Sequence, residues 1–327
     1  MELSRPSTSY GTQPLGNESI IDKVVIRSEQ GTLELNVLIA ISASISVIGT
    51  VSNVMSLSYF LSNWSNKLGE ILLVLLNIMD LLVSLMGTLF LALRYFVVSR
   101  PLVIVAFMHG AYFVFLECTA FVTLLLAVAR SLSLHFPFYE PSTKNLIFSL
   151  VAFFSYAVVK ASIAVHYRIK VEKELAGLGS KIWLRYFTVY NTLLFSSLLL
   201  AITVVLTVNL LTIRKLIISG SEINCAAQPA STHFNRHATI TILILSALFC
   251  IFNMMYSVAL CRHILLLKTT PIANRTFTST LIDYTAVPLN SALNPFVYFS
   301  RKREMRTFLC RSFYRRASGD QRVATQQ

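Results

Sequence analysis

The sequence predicts an all-α membrane protein, a bundle of seven transmembrane helices followed by a short amphipathic helix at the membrane interface. Of its 327 residues, 55% are hydrophobic and only 13% are charged, whereas a soluble domain carries about 25% charged residues. The mean hydropathy is +0.65. Apolar runs of about 20 residues, the length that crosses a bilayer, recur along the chain. The apolar excess must therefore face lipid.

Seven apolar runs are long enough to cross a bilayer. In chain order they are 35–62, 68–98, 102–134, 145–165, 183–213, 237–261 and 277–299. The connections between them are too short to hold a separate soluble domain. The predicted organisation is an N-terminal tail at 1–33, the bundle at 34–299, a juxtamembrane amphipathic helix at 300–316 and a C-terminal tail at 317–327.

The basic residues indicate a membrane surface as partner. The formal net charge is +13, and eight of the 28 Lys and Arg residues lie in the last 27 positions. They directly follow an apolar run, which favours acidic lipid headgroups over nucleic acid. The raw Lys and Arg count is tied between the two sides of the bilayer, so this dense tail decides the orientation. It predicts a cytosolic C-terminus and an extracellular N-terminus at the plasma membrane.

Several residues near the chain ends are candidate modification or interface sites. One helical face of the juxtamembrane segment holds Met305, Phe308, Leu309, Ser312 and Phe313, which is typical of a helix lying in the interface. Cys310 is either a palmitoylation site or a free thiol. Asn17 starts an Asn-Glu-Ser sequon in the N-terminal tail, so it is a glycosylation candidate. The five cysteines show no CxxC spacing, which disfavours a metal site.

Polar residues inside the apolar runs form the predicted functional core. Ionisable groups are costly in lipid, so each is a functional-site hypothesis. Asp80 lies midway along the second run, Asn53 lies at a similar depth in the first, and Asn290 and Asn294 lie in the seventh. A carboxylate with facing amides fits a sodium or water site. It fits more readily a hydrogen-bonded network that only positions the helices.

The seventh run ends in a predicted hinge. Pro295 removes a backbone donor and frees a carbonyl one turn earlier, and Asn294, just before it, is expected to fill that deficit. Tyr298 follows one turn later. This Asn-Pro-x-x-Tyr motif at 294–298, followed by Phe299 and a basic amphipathic segment, resembles the end of the rhodopsin-like (class A) G-protein-coupled receptors. The chain is similar to a divergent member of that family.

Further matches extend the resemblance over residues 35–313. Asn53 in Gly-Thr-Val-Ser-Asn resembles the first-helix motif of the family, and Asp80 matches its second-helix aspartate. Arg130 matches the end of the third helix, and Cys250 matches the sixth helix. The resemblance implies an extracellular ligand, a heterotrimeric G protein as partner, and an activation switch built from Arg130, Cys250, Pro295 and Tyr298.

The third and sixth helices depart from the family pattern. Ala129 and Ser131 replace the acidic residue and the tyrosine that flank Arg130 in the family, so the resemblance predicts a less restrained arginine. Ile251 and Asn253 replace the sixth-helix tryptophan and proline. Neither the start of the third run nor the loop at 166–182 contains a cysteine, so the extracellular disulfide of the family cannot form.

The resemblance narrows the ligand class without identifying the ligand. Tyr112 occupies the position of the aspartate of amine receptors, and Pro288 that of the retinal-linking lysine of opsins, so amines and retinal are disfavoured. The ligand pocket is predicted to include Tyr112, Glu117, Asp283 and Tyr284. Glu117 either faces that pocket or pairs with Lys160. A basic outer rim either attracts an acidic ligand or is simply solvated.

Two other functions stay open at this point. A small transporter or channel would use the same buried polar groups, although it is expected to show internal repeats, which the sequence lacks. A receptor-like protein that does not signal would explain the altered switch residues. No catalytic triad, phosphate-binding glycine loop or metal-ligand cluster stands out. We therefore expect neither enzyme activity nor a cofactor.

Overall fold

The computed structural model describes residues 18–64, 67–96, 102–136, 142–174, 180–223, 230–269, 277–308 and 310. Over these ranges the chain forms long helices and contains no strand. The helices are α1 Glu18–Ser62, α2 Leu68–Phe96, α3 Leu102–His135, α4 Thr143–Glu174, α5 Ser180–Ile223, α6 Ala230–Thr269 and α7 Phe277–Arg301. The all-α prediction is confirmed for this part of the chain.

Six of the helices are long and apolar enough to cross a membrane. Their candidate spans are Ile39–Ser62, Leu68–Leu89, Ala106–His135, Lys144–His166, Asn191–Ile218 and Ala238–Arg262. The protein is therefore indicated to be embedded in a membrane. The predicted seventh run, 277–299, is helical as α7 but is not among the six.

Several helices extend beyond the apolar runs that predicted them. α1 begins at Glu18, inside the predicted N-terminal tail, and α4 continues to Glu174. Apolar runs mark only the length of a helix inside lipid, whereas polar helix formers such as Lys and Glu extend a helix into water.

Met1–Ala40 and Ile41–Gln327 form two compact units. All packing described below lies within the second unit.

α3 and α4 pack closely through small residues. A Cβ atom on Gly110 would lie 2.5 Å from Cγ2 of Val165, so a larger residue at this position would force Val165 to move. Cys118 of α3 clusters with Ala157 and Ala161 of α4. The candidate span of α4 is only 17% buried, against 67% for that of α3. α3 is thus the buried centre of the unit, and α4 presents an exposed apolar surface.

The residues after α7 pack against α1. Residues 303–308 are helical, and Met305 is fully buried. The ring of Phe308 meets Tyr59 edge-on, with centroids 5.6 Å apart. Both residues belong to the apolar face that the sequence predicts for the juxtamembrane helix, and that helix stays a prediction. The side chain of Leu309 and residues 311–316 lie outside the described part of the chain.

A basic side chain closes the end of α7. The last carbonyls of a helix have no intrahelical donor. Nη1 of Arg306 donates to the carbonyl oxygens of Phe299 at 3.0 Å and Ser300 at 2.7 Å. The guanidinium group therefore caps α7 and fixes the turn into residues 303–308.

Candidate functional site: a buried polar network of α1, α2 and α7

Asp80 is the centre of the predicted polar core. It is fully buried on α2. Its Oδ2 atom accepts a hydrogen bond of 2.6 Å from Nδ2 of Asn294 on α7. Its other oxygen, Oδ1, has no hydrogen-bond partner among the protein atoms. The bond joins the middle of the α2 span to the Asn-Pro motif of α7.

Asn53 fills the backbone gap that Pro295 creates. Because proline has no N–H, the carbonyl of Ser291, four residues earlier, lacks its intrahelical donor. Nδ2 of Asn53 on α1 donates to that carbonyl at 3.0 Å and to the carbonyl of Gly49 at 2.8 Å. We expected Asn294 to fill this gap. That interpretation is wrong, since the amide of Asn294 is directed to Asp80 instead.

Glycine allows the three helices to approach this closely. A Cβ atom on Gly49 would lie 2.7 Å from Oγ of Ser84 on α2 and 3.2 Å from Cβ of Ala292 on α7. Both distances are shorter than ordinary van der Waals contact. A side chain at position 49 would therefore force Ser84 and Ala292 to move, so glycine favours the close packing around Asn53.

The network holds several buried polar atoms that no protein group satisfies. They are Oδ1 of Asn53, Asp80, Asn290 and Asn294. Buried polar atoms without a protein partner are normally bonded by water or an ion. All four polar-core residues predicted from the sequence are thus fully buried. Asn53, Asp80 and Asn294 belong to one network, and the free oxygens give it capacity to bind water or a cation.

Tyr298 lies on α7, one turn after Pro295 in the sequence. It is fully buried, and its ring meets Phe60 of α1 edge-on with centroids 5.4 Å apart. Pro295 is likewise buried inside α7. The two predicted switch residues of α7 therefore pack inside the bundle and are shielded from lipid.

Arg130 has a partner that the sequence did not predict. Its Nε atom donates to Oγ1 of Thr239 on α6 at 2.7 Å, and Thr239 is fully buried. The missing acidic neighbour led us to expect a less restrained arginine, whereas here a neutral hydroxyl connects it to α6. A signal was available, because Thr239 lies on the same helical face as Ile242 and Phe249.

The side chain of Asn253 bonds back to its own helix. It stands where the resemblance expects a proline, and its Nδ2 atom donates to the carbonyl of Phe249 at 2.8 Å. A proline at this position would instead leave that carbonyl without its backbone donor. Cys250, the predicted switch residue on the same turn, is buried in the core with Phe249.

A second polar contact joins α5 and α6. Nδ2 of Asn209 donates to Oγ of Ser246 at 2.9 Å, and Ser246 Oγ lies 3.1 Å from Oδ1 of Asn209. Both residues are buried. Sequence reasoning missed this pair, because neither residue is ionisable and nothing in the pattern identifies which residue lies opposite.

The four predicted ligand-pocket residues do not form one described site. Tyr112 is buried in the apolar core. Glu117 forms an ion pair with Lys160 of α4, with Oε1 and Nζ 2.7 Å apart, which decides between the two alternatives that the sequence left open. The side chains of Asp283 and Tyr284 on α7 lie outside the described part of the chain. Asn17, in the N-terminal tail, also lies outside it. Cys310 is exposed.

Comparison with known proteins adds no independent identification. No protein-family model matches the chain, and no curated protein matches it in sequence. What is established is an all-helical protein with six helices able to cross a membrane, in which one buried polar network joins α1, α2 and α7.

Proposed function

We propose that this chain is a rhodopsin-like G-protein-coupled receptor, which transmits binding of an extracellular ligand to a heterotrimeric G protein. The observation that carries the proposal is the pair of hydrogen bonds at the Asn-Pro motif. Asp80 binds Asn294, and Asn53 binds the carbonyl that Pro295 frees. Three motif matches that are far apart in sequence therefore meet at one place, which supports the resemblance.

The seven-span topology is part of the same proposal. α7 is joined at Asn294 to Asp80, which lies inside the α2 span. A helix of 25 residues that passes a partner at this depth is long enough to cross the bilayer. Seven spans place the N-terminus outside the plasma membrane when the basic tail is cytosolic. The helical residues 303–308 would then lie at the inner membrane surface.

In this proposal the hydrogen bond between Arg130 and Thr239 holds α3 and α6 together in the resting state of the receptor. A hydrogen bond to a charged donor stabilises by about 1.5–3 kcal/mol. Ligand binding would favour a state in which α6 moves away from α3 and the guanidinium group turns to the G protein. The polar network of Asp80 would transmit the change, because its side chains join α2 and α1 to the hinge of α7.

A reconstitution assay tests this function. The purified chain is incorporated into nanodiscs with a heterotrimeric G protein, and nucleotide exchange is measured without ligand and with a ligand library. We expect basal or ligand-evoked exchange that Arg130→Ala abolishes. Arg262→Ala, an exposed arginine at the other end of the bundle, is the matched control. Exchange that is equal for both variants and the native chain would contradict the proposal, and solute flux in proteoliposomes would then favour a transporter.

A further inference from the structure

Two hydrogen bonds connect α6 to its neighbours from the same side of the helix. Thr239 accepts from Arg130 of α3, and Ser246 accepts from Asn209 of α5. The two α6 residues are seven positions apart, close to two full turns, so their side chains leave the helix in nearly the same direction. They are about 10 Å apart along the helix axis. α6 is therefore bonded to α3 near the end of its span and to α5 deeper inside it.

The amide of Asn209 is directed to the other helix. Asn53, Asn77 and Asn253 each donate through Nδ2 to the carbonyl four residues earlier on their own helix. Nδ2 of Asn209 instead donates to Oγ of Ser246 at 2.9 Å, and Oδ1 of the same amide lies 3.1 Å from that oxygen. Both polar atoms of the Asn209 amide thus meet one hydroxyl of α6. We call the contact between Asn209 and Ser246 the α5–α6 clasp.

Ser246 is held in position by its own helix. Its Oγ atom lies 2.7 Å from the carbonyl oxygen of Ile242. The single hydroxyl hydrogen has two acceptors within reach, this carbonyl and Oδ1 of Asn209, whereas the hydroxyl oxygen accepts from Nδ2 in either case. α6 therefore presents a fixed acceptor to α5, and the clasp does not depend on which acceptor takes the hydrogen.

The clasp has no substitute partner in lipid. Asn209 and Ser246 are both buried. Asn209 lies nine residues inside the end of the α5 span at Ile218, which is about 13 Å along the helix. Parting α5 from α6 would leave the amide of Asn209 in hydrocarbon, where a polar group without a partner is strongly disfavoured. The clasp should therefore persist when the helices move.

The bond between Arg130 and Thr239 differs in this respect. Arg130 is only half-buried and lies five residues from the end of the α3 span at His135. Its guanidinium group carries several donors on a long side chain, which can reach the membrane surface. Water and lipid phosphates at that surface would replace the hydroxyl of Thr239 as acceptors. This bond can therefore be exchanged where the clasp cannot.

Apolar contacts do not decide which neighbour keeps α6. Ile242 and Leu245 of α6 belong to one buried cluster with Val122 and Leu126 of α3. Phe249 belongs to another cluster, which includes residues of both α3 and α5. In a bilayer, lipid tails replace such contacts without the penalty that water would impose. The polar contacts therefore distinguish the two neighbours of α6.

We propose that α5 and α6 form one moving body, held together by the α5–α6 clasp, and that this body parts from α3 when the bond between Arg130 and Thr239 is exchanged. The proposal concerns how the helices are connected, whatever the movement serves. One consequence rests on the receptor function proposed above: a ligand that shifts α5 would pull Thr239 away from Arg130 through the clasp. Asn209 would then be a positioning residue for α6.

Distances between spin labels test this in the full chain in nanodiscs. The labels are attached to a genetically encoded ketone amino acid, so the five native cysteines stay unlabelled. The labelled positions are Ser133 of α3, Ile217 of α5 and Ile244 of α6, all of which are exposed. Thr239→Val breaks the bond to Arg130. We expect it to lengthen the distance from Ser133 to Ile244 by several ångströms and to leave the distance from Ile217 to Ile244 unchanged.

Breaking the clasp should free α5 from α6. Adding Asn209→Leu to Thr239→Val should lengthen the α5–α6 distance or broaden its distribution, because only apolar contacts then join the two helices. Ser246→Ala breaks the clasp from the other side and decides the outcome if Asn209→Leu does not fold. Thr212→Val is the matched control. Thr212 is buried on α5, but its hydroxyl donates to the carbonyl of Val208 on its own helix at 2.8 Å, so this change should alter neither distance.

Each other outcome contradicts the proposal. Lengthening of both distances in Thr239→Val would show that α6 leaves α5 as well. Two unchanged distances would show that the bond to Arg130 is not the contact that gives way, and Arg130→Leu breaks the same bond if Thr239→Val does not fold. An α5–α6 distance that ignores both clasp variants would show that the clasp does not hold the helices together. No ligand or G protein is used, so failure of the receptor function would leave this inference standing, and the reverse also holds.

Discussion

Nδ2 of Asn53 donates to the carbonyl of Ser291, the carbonyl that Pro295 leaves without its intrahelical donor. A proline inside α7 thus has its backbone deficit filled by a different helix. The same amide also bonds Gly49, so one side chain supports both α1 and α7. This arrangement couples the two helices at the predicted hinge.

We expect Asn53→Ala to lower the free energy of unfolding by about 1–3 kcal/mol, because it leaves the carbonyl of Ser291 buried without a donor. Asn63→Ala is the control. Asn63 also donates to a carbonyl four residues earlier, at 2.9 Å, but it is exposed. Thermal unfolding in detergent would measure both variants. Similar melting temperatures for the two would show that the bond across to α7 adds nothing.

Gly49→Ala should be destabilising by about 1–3 kcal/mol, the usual effect of overpacking a tight core. The new methyl group would meet Ser84 and Ala292. Adding Ser84→Ala should recover part of the loss, because it removes the nearer atom. Gly69→Ala, where nothing lies within 4 Å, should be neutral or slightly stabilising. Failure of the second substitution to recover stability would place the strain elsewhere.

Under the proposed function, Thr239→Val should raise basal nucleotide exchange on the G protein. It removes the hydroxyl that Arg130 binds. The bond is expected to stabilise the resting state by about 1.5–3 kcal/mol, so the change should be roughly tenfold or more in the resting-to-active ratio. Thr239→Glu should lower basal exchange by forming an ion pair. Thr203→Val, at an exposed position on α5, is the control, and higher basal exchange in Thr239→Glu would refute the restraint.

Lys160→Met should destabilise the chain by about 3–5 kcal/mol, because it leaves the carboxylate of Glu117 buried without its counter-charge. The double variant Glu117→Leu with Lys160→Met should be close to the native chain or more stable, since both charges are removed together. Glu117→Lys combined with Lys160→Glu exchanges the two charges and tests whether the ion pair depends on its orientation. The double-mutant cycle is measured by thermal unfolding, and additive losses would indicate that the 2.7 Å pair is not coupled.

Lys302 predicts a pH effect just outside the membrane spans. Burial lowers the pKa of Lys302 below its ordinary value of 10.5, while Glu70 and Glu304 act in the opposite direction. The folded state then binds fewer protons than the unfolded state, so stability rises with pH through the window between the lowered pKa and 10.5. Nζ lies 4.6 Å from the ring centroid of Phe60.

Lys302→Met keeps the hydrocarbon chain over Phe60 and removes the titrating group. We expect the melting temperature of the native chain to rise relative to that of this variant between pH 8 and the ordinary pKa of 10.5. Lys302→Glu should be destabilising near neutral pH, because it adds a third acidic group beside Glu70 and Glu304. Parallel melting curves for the native chain and Lys302→Met across this range would show that Lys302 does not titrate differently on folding.

Most of the helices could be predicted from the sequence, because a helix that crosses lipid needs a continuous run of apolar residues. Each crossing needs about 20 apolar residues, and the apolar runs at 68–98 and 102–134 became α2 and α3 almost residue for residue. The same rule stops at the membrane surface, so it missed the polar extension of α4 to Glu174. Buried polar residues such as Asp80 also stood out, since they are rare in such runs.

The partners of those residues were decided only by the tertiary structure. The sequence assigned the filling of the Pro295 gap to the adjacent Asn294, whereas Asn53, 238 positions from Ser291, does it. The sequence did not decide whether Glu117 faces the ligand pocket or pairs with Lys160, and the structure shows the ion pair. Hydropathy and helical period are properties of neighbouring residues, but a hydrogen bond between helices depends on how they are rotated and how closely they approach. In this chain that approach depends on packing at Gly49 and Gly110, which no local pattern measures.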